Sequence, residues 1–159
     1  MSLPETNPVR IEPATGEDLE QLVDFLTDLL SHEDDFVPSR QKQRHGLALI
    51  LQSPNRGRIF VLRTDHKIIG MVNLLFTIST AEGGPVILME DVYIHHQHRG
   101  QGYGSMLMDF VIKYATEKGF RRITLLSDRE REEASQRFFK KHGFRYSSMV
   151  TMRLILPET

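Results

Sequence analysis

The order of apolar and polar positions predicts alternating strands and helices along most of the chain. Between positions 19 and 30, and again between 107 and 115, apolar residues recur three and four positions apart, as on one face of a helix. Between positions 58 and 94, apolar runs are bounded by polar or glycine-containing turns, which favours strands. We expect helices over residues 15–30, 40–53, 105–118 and 131–142. We expect strands over residues 9–15, 58–63, 68–79, 86–94, 121–127 and 149–156.

This order of elements predicts one mixed α/β domain over residues 1–159. Three consecutive strands joined by short polar turns favour antiparallel pairing, and the strand-helix-strand unit that follows favours a parallel crossover. We therefore expect an α/β fold with a mostly antiparallel central sheet, a β-α-β crossover and helices on both faces. Thr15 and Asp18 have the spacing of a capping box at the start of the first helix.

Composition narrows the functional classes. The formal net charge of −1 gives no basic excess of the kind that nucleic-acid binding favours. The chain has no cysteine, which excludes disulfides, thiolate nucleophiles and cysteine-ligated zinc. No apolar run is long enough for a membrane helix, and the N-terminal residues do not resemble a signal peptide. We therefore expect a cytoplasmic protein that acts on neither membranes nor nucleic acids.

The segment "EDVYIHHQHRGQGYGS", residues 90–105, contains the most distinctive chemistry in the sequence. Its three histidines suggest a metal site. However, the side chains of adjacent histidines after a strand point in different directions, and the sequence has no further zinc ligands at the usual spacing. We expect exposed loop histidines and no metal. A dinucleotide-binding loop stays open: the glycines do not fit its G-x-G-x-x-G spacing, but Asp128 ends the next strand where a ribose-binding acid would lie. A glycine-rich turn without a ligand also stays open.

An anion site accounts for the same segment more completely. A glycine-rich loop between a strand and a helix lets backbone N–H groups converge, and the helix N-terminus adds unsatisfied donors with a partial positive charge. Arg99 adds a cation that can bind phosphate through two hydrogen bonds. A nucleotide-binding loop of the Walker type is excluded, because no Gly-Lys-Ser/Thr follows.

Two motifs in the sequence resemble the GNAT superfamily of N-acetyltransferases. The run "RGQGYG", residues 99–104, is similar to the family's R/Q-x-x-G-x-G/A signature in its strand-loop-helix setting. The run "ASQRFFKKHGF", residues 134–144, resembles the family's A-x-x-F-Y-x-x-x-G-F motif. "VRIEPATGEDLEQL" is similar to the usual first strand and helix, so the resemblance extends from about residue 9 to residue 156.

The resemblance implies a binding site for acetyl-CoA as co-substrate. Main-chain N–H groups of the glycine loop would hold the pyrophosphate, and the strand before the loop would pair through its backbone with the pantetheine arm. The loop residues implied are Arg99 and Gly100, which shape the entry, and Gln101, Gly102, Tyr103, Gly104 and Ser105. The strand residues implied are Val92, Tyr93 and Ile94.

The resemblance also implies transfer of the acetyl group to a primary amine of a small molecule or peptide, by direct attack in a ternary complex. The backbone N–H of Val92 is the family-like donor to the oxyanion. Glu90 is the candidate base, because it shares a face with Val92 and Ile94 on simple strand alternation while Asp91 lies opposite. If a bulge interrupts the strand, Asp91 could take this role. A carboxylate in a strand can equally pair with arginine or cap a backbone group.

The second motif departs from the family pattern at two positions. Phe139 stands where many members have the tyrosine that protonates the leaving thiolate, and Arg131 stands where an asparagine is common. The general-acid step is therefore in question, and a non-catalytic acyl-CoA-binding or regulatory module is the alternative function. The acidic run 33–35 could attract a cationic amine or be a solvated loop. Because family members often dimerise through C-terminal strands, the apolar segment 149–156 makes a homodimer possible.

Overall fold

A computed structural model describes residues 8–65, 67–127 and 133–158. Within these residues, strands and helices follow one another in the predicted order. The strands are β1 (Arg10–Pro13), β2 (Gly57–Thr64), β3 (Lys67–Ser79), β4 (Gly84–Ile94) and β5 (Ile123–Leu125). The helices are α1 (Leu19–Ser31), α2 (Arg40–Leu51), α3 (Tyr103–Glu117) and α4 (Glu133–Lys141).

The five strands form one sheet in the order β1-β2-β3-β4-β5. The first four strands pair antiparallel, and β5 pairs parallel to β4 after the crossover through α3. The predicted mostly antiparallel sheet with a β-α-β crossover is confirmed. The chain divides into two units, residues 1–126 and 127–159, and the sheet belongs to the first.

Helices cover both faces of the sheet, as the two apolar faces of its strands require. On one face, buried residues of α1 and α2 pack against the strands in a single cluster that contains Val61 and Met71. On the other face, the Phe60 ring lies 4.9 Å from that of Phe110 and 5.0 Å from that of Tyr114, both on α3. Phe60 and Val61 are neighbours in β2, so alternation directs their side chains to opposite faces.

An ion-pair network fastens the start of the first helical segment to the sheet. The Thr15 N–H donates to Asp18 Oδ2 at 2.9 Å, which confirms the predicted capping box, although a 3₁₀ turn over Gly16–Asp18 precedes α1. Arg63 on β2 donates to the same Asp18 oxygen at 2.8 Å and also to Glu12. Asp18 is buried, so this pairing compensates a carboxylate that would otherwise lose its hydration.

The second unit differs from the sequence prediction. Its helix α4 forms as expected, and Phe139 packs against the ring of Phe144 at 5.7 Å. The predicted strand over residues 149–156 is wrong: no strand is assigned there, and side chains such as Met152 and Leu154 are exposed. A strand needs a ladder partner as well as an apolar sequence, and none is present among the described residues. Asp128 and Arg131 lie outside the described residues.

We predict that Asp18→Asn destabilises the fold in a pH-dependent way. Burial alone would raise the pKa of Asp18, but hydrogen bonds from Arg63 and the Thr15 N–H outweigh it and hold the pKa below its ordinary value. The carboxylate therefore contributes stability above its unfolded-state pKa, and this is lost as the pH falls through the folded-state pKa. The substitution should lower the free energy of unfolding by about 2 kcal/mol at neutral pH, with a smaller loss near pH 3, measured by urea denaturation.

Asp24→Asn is the matched control for this change. Asp24 pairs with Arg40 at 2.8 Å, but its side chain is 65% exposed, and an exposed pair of this kind contributes less than about 1 kcal/mol. An equal loss of stability at both pH values for Asp18→Asn would show that packing, rather than charge, is responsible.

Candidate active site at the end of the fourth strand

The glycine loop joins β4 to α3 in left-handed backbone conformations. Gly100 has φ of 73° and Gly102 has φ of 86°, and Gly102 is the residue that caps α3. A Cβ atom added at either position would meet no atom within 4 Å. Glycine is therefore required at these two positions by the backbone conformation, since other residues are strained there, and the space around the loop is open.

The N-terminus of α3 presents the main-chain donors that the sequence predicts. The Met106 N–H donates to the Gly102 carbonyl at 3.1 Å, as the helix begins. The N–H groups of Tyr103 and Gly104 precede this bond and have no acceptor within the helix. Gln101 and Ser105 flank them, and the Gln101 side chain donates to the Gln97 carbonyl at 3.4 Å. The loop thus places converging amides at the positive end of a fifteen-residue helix.

The edge of β4 that faces β5 is open beside the last five residues of the strand. The pairing between β4 and β5 stops at Met89 and Leu125. Beyond that point, no strand among the described residues lies along this edge of residues 90–94.

The main-chain groups at this open edge follow from the pairing on the other side. The His95 N–H donates to the Ile69 carbonyl at 2.8 Å, toward β3. Since main-chain groups alternate along the regular part of a strand, those of Tyr93 point toward β3 and those of Ile94 point away from it, toward the open edge. Arg99 Nε donates to the Ile94 carbonyl at 2.8 Å, so this side chain braces the loop against the strand end.

A β-bulge interrupts β4 at Asp91 and Val92. Asn73 pairs with Glu90, and Met71 pairs with Tyr93, so two residues of β4 lie opposite the single residue between these partners on β3. Asp91 has φ of 56°, a left-handed conformation that is uncommon outside glycine. The regular pairs on both sides of the bulge therefore fix its position in the strand.

The bulge changes which side chains share a face. Cross-strand partners lie on the same face, and Asn73 shares its face with Met71, so Glu90 lies on the face of Tyr93, toward α1. Ile94 pairs with Gly70 and lies on the opposite face. The expectation that Glu90 and Ile94 share a face is wrong, because one extra residue shifts the alternation by one position.

Asp91 joins this face through a buried amide. Asn73 Nδ2 donates to Asp91 Oδ2 at 3.3 Å, and Asn73 is 3% exposed. Burial raises the pKa of Asp91, and the hydrogen bond from Asn73 offsets part of that rise. Asn73 Oδ1 is buried and has no hydrogen-bond partner in the described parts of the chain. Sequence reasoning placed Asp91 here only on condition of a bulge and did not identify Asn73.

A second polar cluster joins α1 to the end of β4. The Tyr93 hydroxyl donates to Asp28, and the Tyr93 ring lies 4.9 Å from the Phe25 ring. The Arg99 guanidinium lies 5.5 Å from the centre of the Tyr93 ring and 3.9 Å from Asp28 Oδ2. Burial, followed by the bond to Asp28, raises the pKa of Tyr93 to about 12. Sequence reasoning missed Asp28, whose signal is a polar residue on the apolar side of α1, three positions after Phe25.

The histidines are less uniform than predicted. His96 is exposed, but His95 and His98 are half-buried, and the rings of His95 and His96 lie 4.3 Å apart. Burial, reinforced by the neighbouring cations, lowers the pKa of His95. Within the described residues, no three His, Asp or Glu side chains form a group that could bind a metal.

The acidic run Glu33, Asp34 and Asp35 is exposed after the end of α1.

We predict that Tyr93→Phe raises the pKa of Asp28. The hydrogen bond from Tyr93 is the main reason why this pKa lies below its ordinary value. Without the hydroxyl, the pKa of Asp28 should rise toward its ordinary value, as followed by NMR titration of labelled carboxyl groups. Because stability from a depressed carboxyl pKa is lost as the pH falls, the variant should also lose less stability in acid. The titration of Asp18 serves as the control, and an unchanged Asp28 titration contradicts the prediction.

None of the helices in the described residues is long and apolar enough to cross a membrane.

The described fold matches solved structures over nearly its whole length. A possible acetyltransferase from Clostridium difficile 630 superposes with a TM-score of 0.83 at 14% identity, covering 94% of this chain and 99% of that one. An aminoglycoside N-acetyltransferase in complex with CoA gives a TM-score of 0.79 at 18% identity, covering 97% and 99%. At these identities, the likeness concerns the fold.

Comparison of the sequence with known proteins and family models identifies the family of the chain. The aminoalkylphosphonate N-acetyltransferase of Salmonella typhimurium is 26% identical over 134 residues, which cover 84% of this chain and 83% of that protein. Residues 21–144 match the model of the acetyltransferase (GNAT) family. This match includes the glycine loop, the bulged strand and most of both motifs, and it covers more than half of the chain. The chain therefore belongs to the acetyltransferase (GNAT) family.

Proposed function

We propose that this protein transfers an acetyl group from acetyl-CoA to a primary amine of a small molecule or peptide, by direct attack in a ternary complex. The observation that carries the proposal is the open edge of β4 from Glu90 to Ile94, which leads into the glycine loop at the N-terminus of α3. The open edge suits the extended pantetheine arm of acetyl-CoA. The helix N-terminus, which follows the edge along the chain, suits the pyrophosphate.

The residues of the loop fit an anionic group. Amides of Gln101, Gly102, Tyr103, Gly104 and Ser105 would hold the pyrophosphate of acetyl-CoA. Gly100 and Gly102 supply the left-handed turns that bring these amides together, and Arg99 braces the loop on Ile94. Main-chain groups of Ile94 point to the open edge, which supports pairing of residues 92–94 with the pantetheine arm.

The chemistry requires an amine without its extra proton, a donor to the oxyanion and a leaving thiolate. We assign the oxyanion donor to the N–H of Val92, because this residue lies in the bulge where the open edge begins. The proton acceptor is a carboxylate in or next to the bulge, and Glu90 is the candidate that the sequence favours. Phe139 cannot donate a proton, but a thiol with a pKa near 8.5 can leave as thiolate at neutral pH. Acetyl-CoA supplies the activated acetyl group.

Related proteins indicate the chemical class of the acceptor amine only broadly. The names of two of them specify an aminoalkylphosphonate and an aminoglycoside as acceptors. The exposed acidic run at residues 33–35 supports a cationic amine. The alternative is a non-catalytic acyl-CoA-binding module, which the replacement of the family tyrosine by Phe139 favours.

The proposal includes a single domain over residues 1–159 and association of two copies. The exposed apolar side chains of segment 149–156, which have no ladder partner in the described chain, support association through this segment.

We predict that Gly102→Ala weakens acetyl-CoA binding. A side chain at φ of 86° costs about 1–2 kcal/mol in the left-handed region, and relief of this strain rotates the amides at the start of α3. The affinity should fall about tenfold, as measured by isothermal titration calorimetry.

Gly83→Ala is the matched control for the glycine loop. Gly83 lies in the turn between β3 and β4, has φ of 73° and also has no atom near an added Cβ. This variant should incur similar strain without a change in affinity. Equal affinities for the two variants would contradict the assignment of the loop to the pyrophosphate.

We predict that the wild-type protein releases free CoA from acetyl-CoA when a suitable primary amine is present. The panel should contain aminoalkylphosphonates, aminoglycosides, polyamines and lysine peptides, with thiol release and the mass of the acetylated amine as readouts. The rate should rise with pH as the neutral fraction of the amine increases. Tight binding of acetyl-CoA with no turnover on any amine would favour the non-catalytic module.

A further inference from the structure

The bulge in β4 places two adjacent carboxylates in different settings, and Asp91 accepts a hydrogen bond from the buried amide of Asn73. We propose that Asp91, rather than Glu90, takes the proton from the attacking amine, and that Asn73 is its positioning residue. This inference rests on the proposed acetyl transfer and deepens it, because it assigns the base of that reaction.

The backbone at Asp91 is held in a conformation that costs free energy. A non-glycine residue at φ of 56° costs on the order of 1 kcal/mol. The conformation persists because regular pairs on both sides of the bulge, Asn73 with Glu90 and Met71 with Tyr93, fix the strand. Strain that the surrounding ladder maintains occurs often at functional sites. Here it directs the Asp91 side chain to Asn73.

Asn73 can serve both protonation states of Asp91. Its Nδ2–H₂ group donates to the Asp91 carboxylate at 3.3 Å. Its Oδ1 atom is buried and has no partner among the described residues. A half-turn of the amide about its terminal torsion would present this acceptor to the O–H of a protonated Asp91. The amide of Asn73 can therefore bond to Asp91 in either protonation state, which lowers the cost of adding a proton to a buried carboxylate.

The position of Asp91 also suits the reaction. Asp91 immediately precedes Val92, whose N–H is the assigned oxyanion donor. A carbonyl bound at that N–H and an amine attacking it would thus lie within one residue of the Asp91 carboxylate. Glu90 belongs to the regular part of the ladder, opposite Asn73, before the bulge begins.

Several titratable groups lie on this side of β4. Among them are Glu90, Tyr93 and His95 of the strand, and Asp28 of α1, which accepts the Tyr93 hydroxyl and lies near His32 and Arg99. The adjacent β3 contributes the neutral Asn73. Burial raises the pKa of Asp91, which brings this carboxyl nearer to the pKa of an amine and makes it a better proton acceptor.

The step balances without a further reactant. The amine nitrogen forms a bond to the thioester carbonyl carbon, and the N–H proton passes to Asp91. The C–S bond then breaks, and its electron pair leaves with the CoA thiolate. Asp91 returns its proton to solvent or to the thiolate, which regenerates the carboxylate for the next turnover.

The test compares the pH dependence of kcat for the wild type with that of Asp91→Asn and Glu90→Gln. In the wild type, kcat should rise with pH through the pKa of Asp91, since only the carboxylate accepts a proton. Asp91→Asn should lower kcat by about 10²–10⁴-fold and abolish this acidic limb. Glu90→Gln should keep the limb. The pH profile should be measured with two amines of different pKa, each at a saturating concentration. An acidic limb that belongs to the enzyme keeps the same position with both amines.

Asp65→Asn is the matched control. Asp65 has φ of 53° in the turn between β2 and β3, so the same substitution is made in the same backbone conformation away from the site. Asparagine tolerates the left-handed region, so both variants should fold. This control should keep the wild-type kcat and pH profile, and acetyl-CoA affinity together with the melting temperature should verify that Asp91→Asn is folded.

Asn73→Leu tests the positioning role. The loss of the N–H that stabilises the carboxylate should move the acidic limb to higher pH, a change that a purely structural role of Asn73 would not produce. If this variant does not fold, Asp91→Glu replaces it: a longer carboxylate should lower kcat and retain the limb.

The outcomes separate this inference from the proposed function. If the wild type acetylates an amine but Asp91→Asn keeps both its kcat and its acidic limb, the assignment of Asp91 is wrong and acetyl transfer stands. The same holds if Glu90→Gln is the variant that loses the limb. If the wild type binds acetyl-CoA and acetylates no amine, the proposed function itself fails, and the assignment fails with it.

Discussion

The bulge at Asp91 and Val92 is the constraint on which the rest of the candidate site depends. One extra residue in β4 reverses the alternation between Glu90 and Ile94. It places Glu90 on the α1 face with Tyr93, and it gives Asp91 its buried amide partner. After the bulge, the main-chain groups of Ile94 point to the edge that β5 leaves open. Without the bulge, these carboxylates and amides would have different relative positions.

The end of β4 is held by side chains from outside the sheet. Asp28 of α1 accepts the Tyr93 hydroxyl, and Arg99 lies over the Tyr93 ring while it donates to the Ile94 carbonyl. The helix on one face of the sheet is thereby connected to the loop that begins the helix on the other face. Since Arg99 is committed to this contact, its role in the loop is bracing, and the converging amides at α3 are the principal donors for an anion.

Much of the fold could be predicted because it depends on local patterns. The apolar spacing placed α1, α2, α3 and the central strands within a few residues of their bounds, and the capping box at Thr15 and Asp18 formed as predicted. The glycine loop was recognisable because its function depends on its backbone and its position between a strand and a helix. The strand over 149–156 was wrong, because an apolar pattern does not specify a ladder partner.

The sequence by itself determined the order of the elements up to α4, the family and the location of the glycine loop. Each depends on residue types at fixed spacing, such as glycines that permit left-handed turns. Only the tertiary structure decided which face Glu90 occupies, that Asp91 bonds to Asn73, and that Asp28 holds Tyr93. These depend on the register between β3 and β4 and on the packing of α1. A register shift of one residue leaves the sequence unchanged but moves every side chain to the other face.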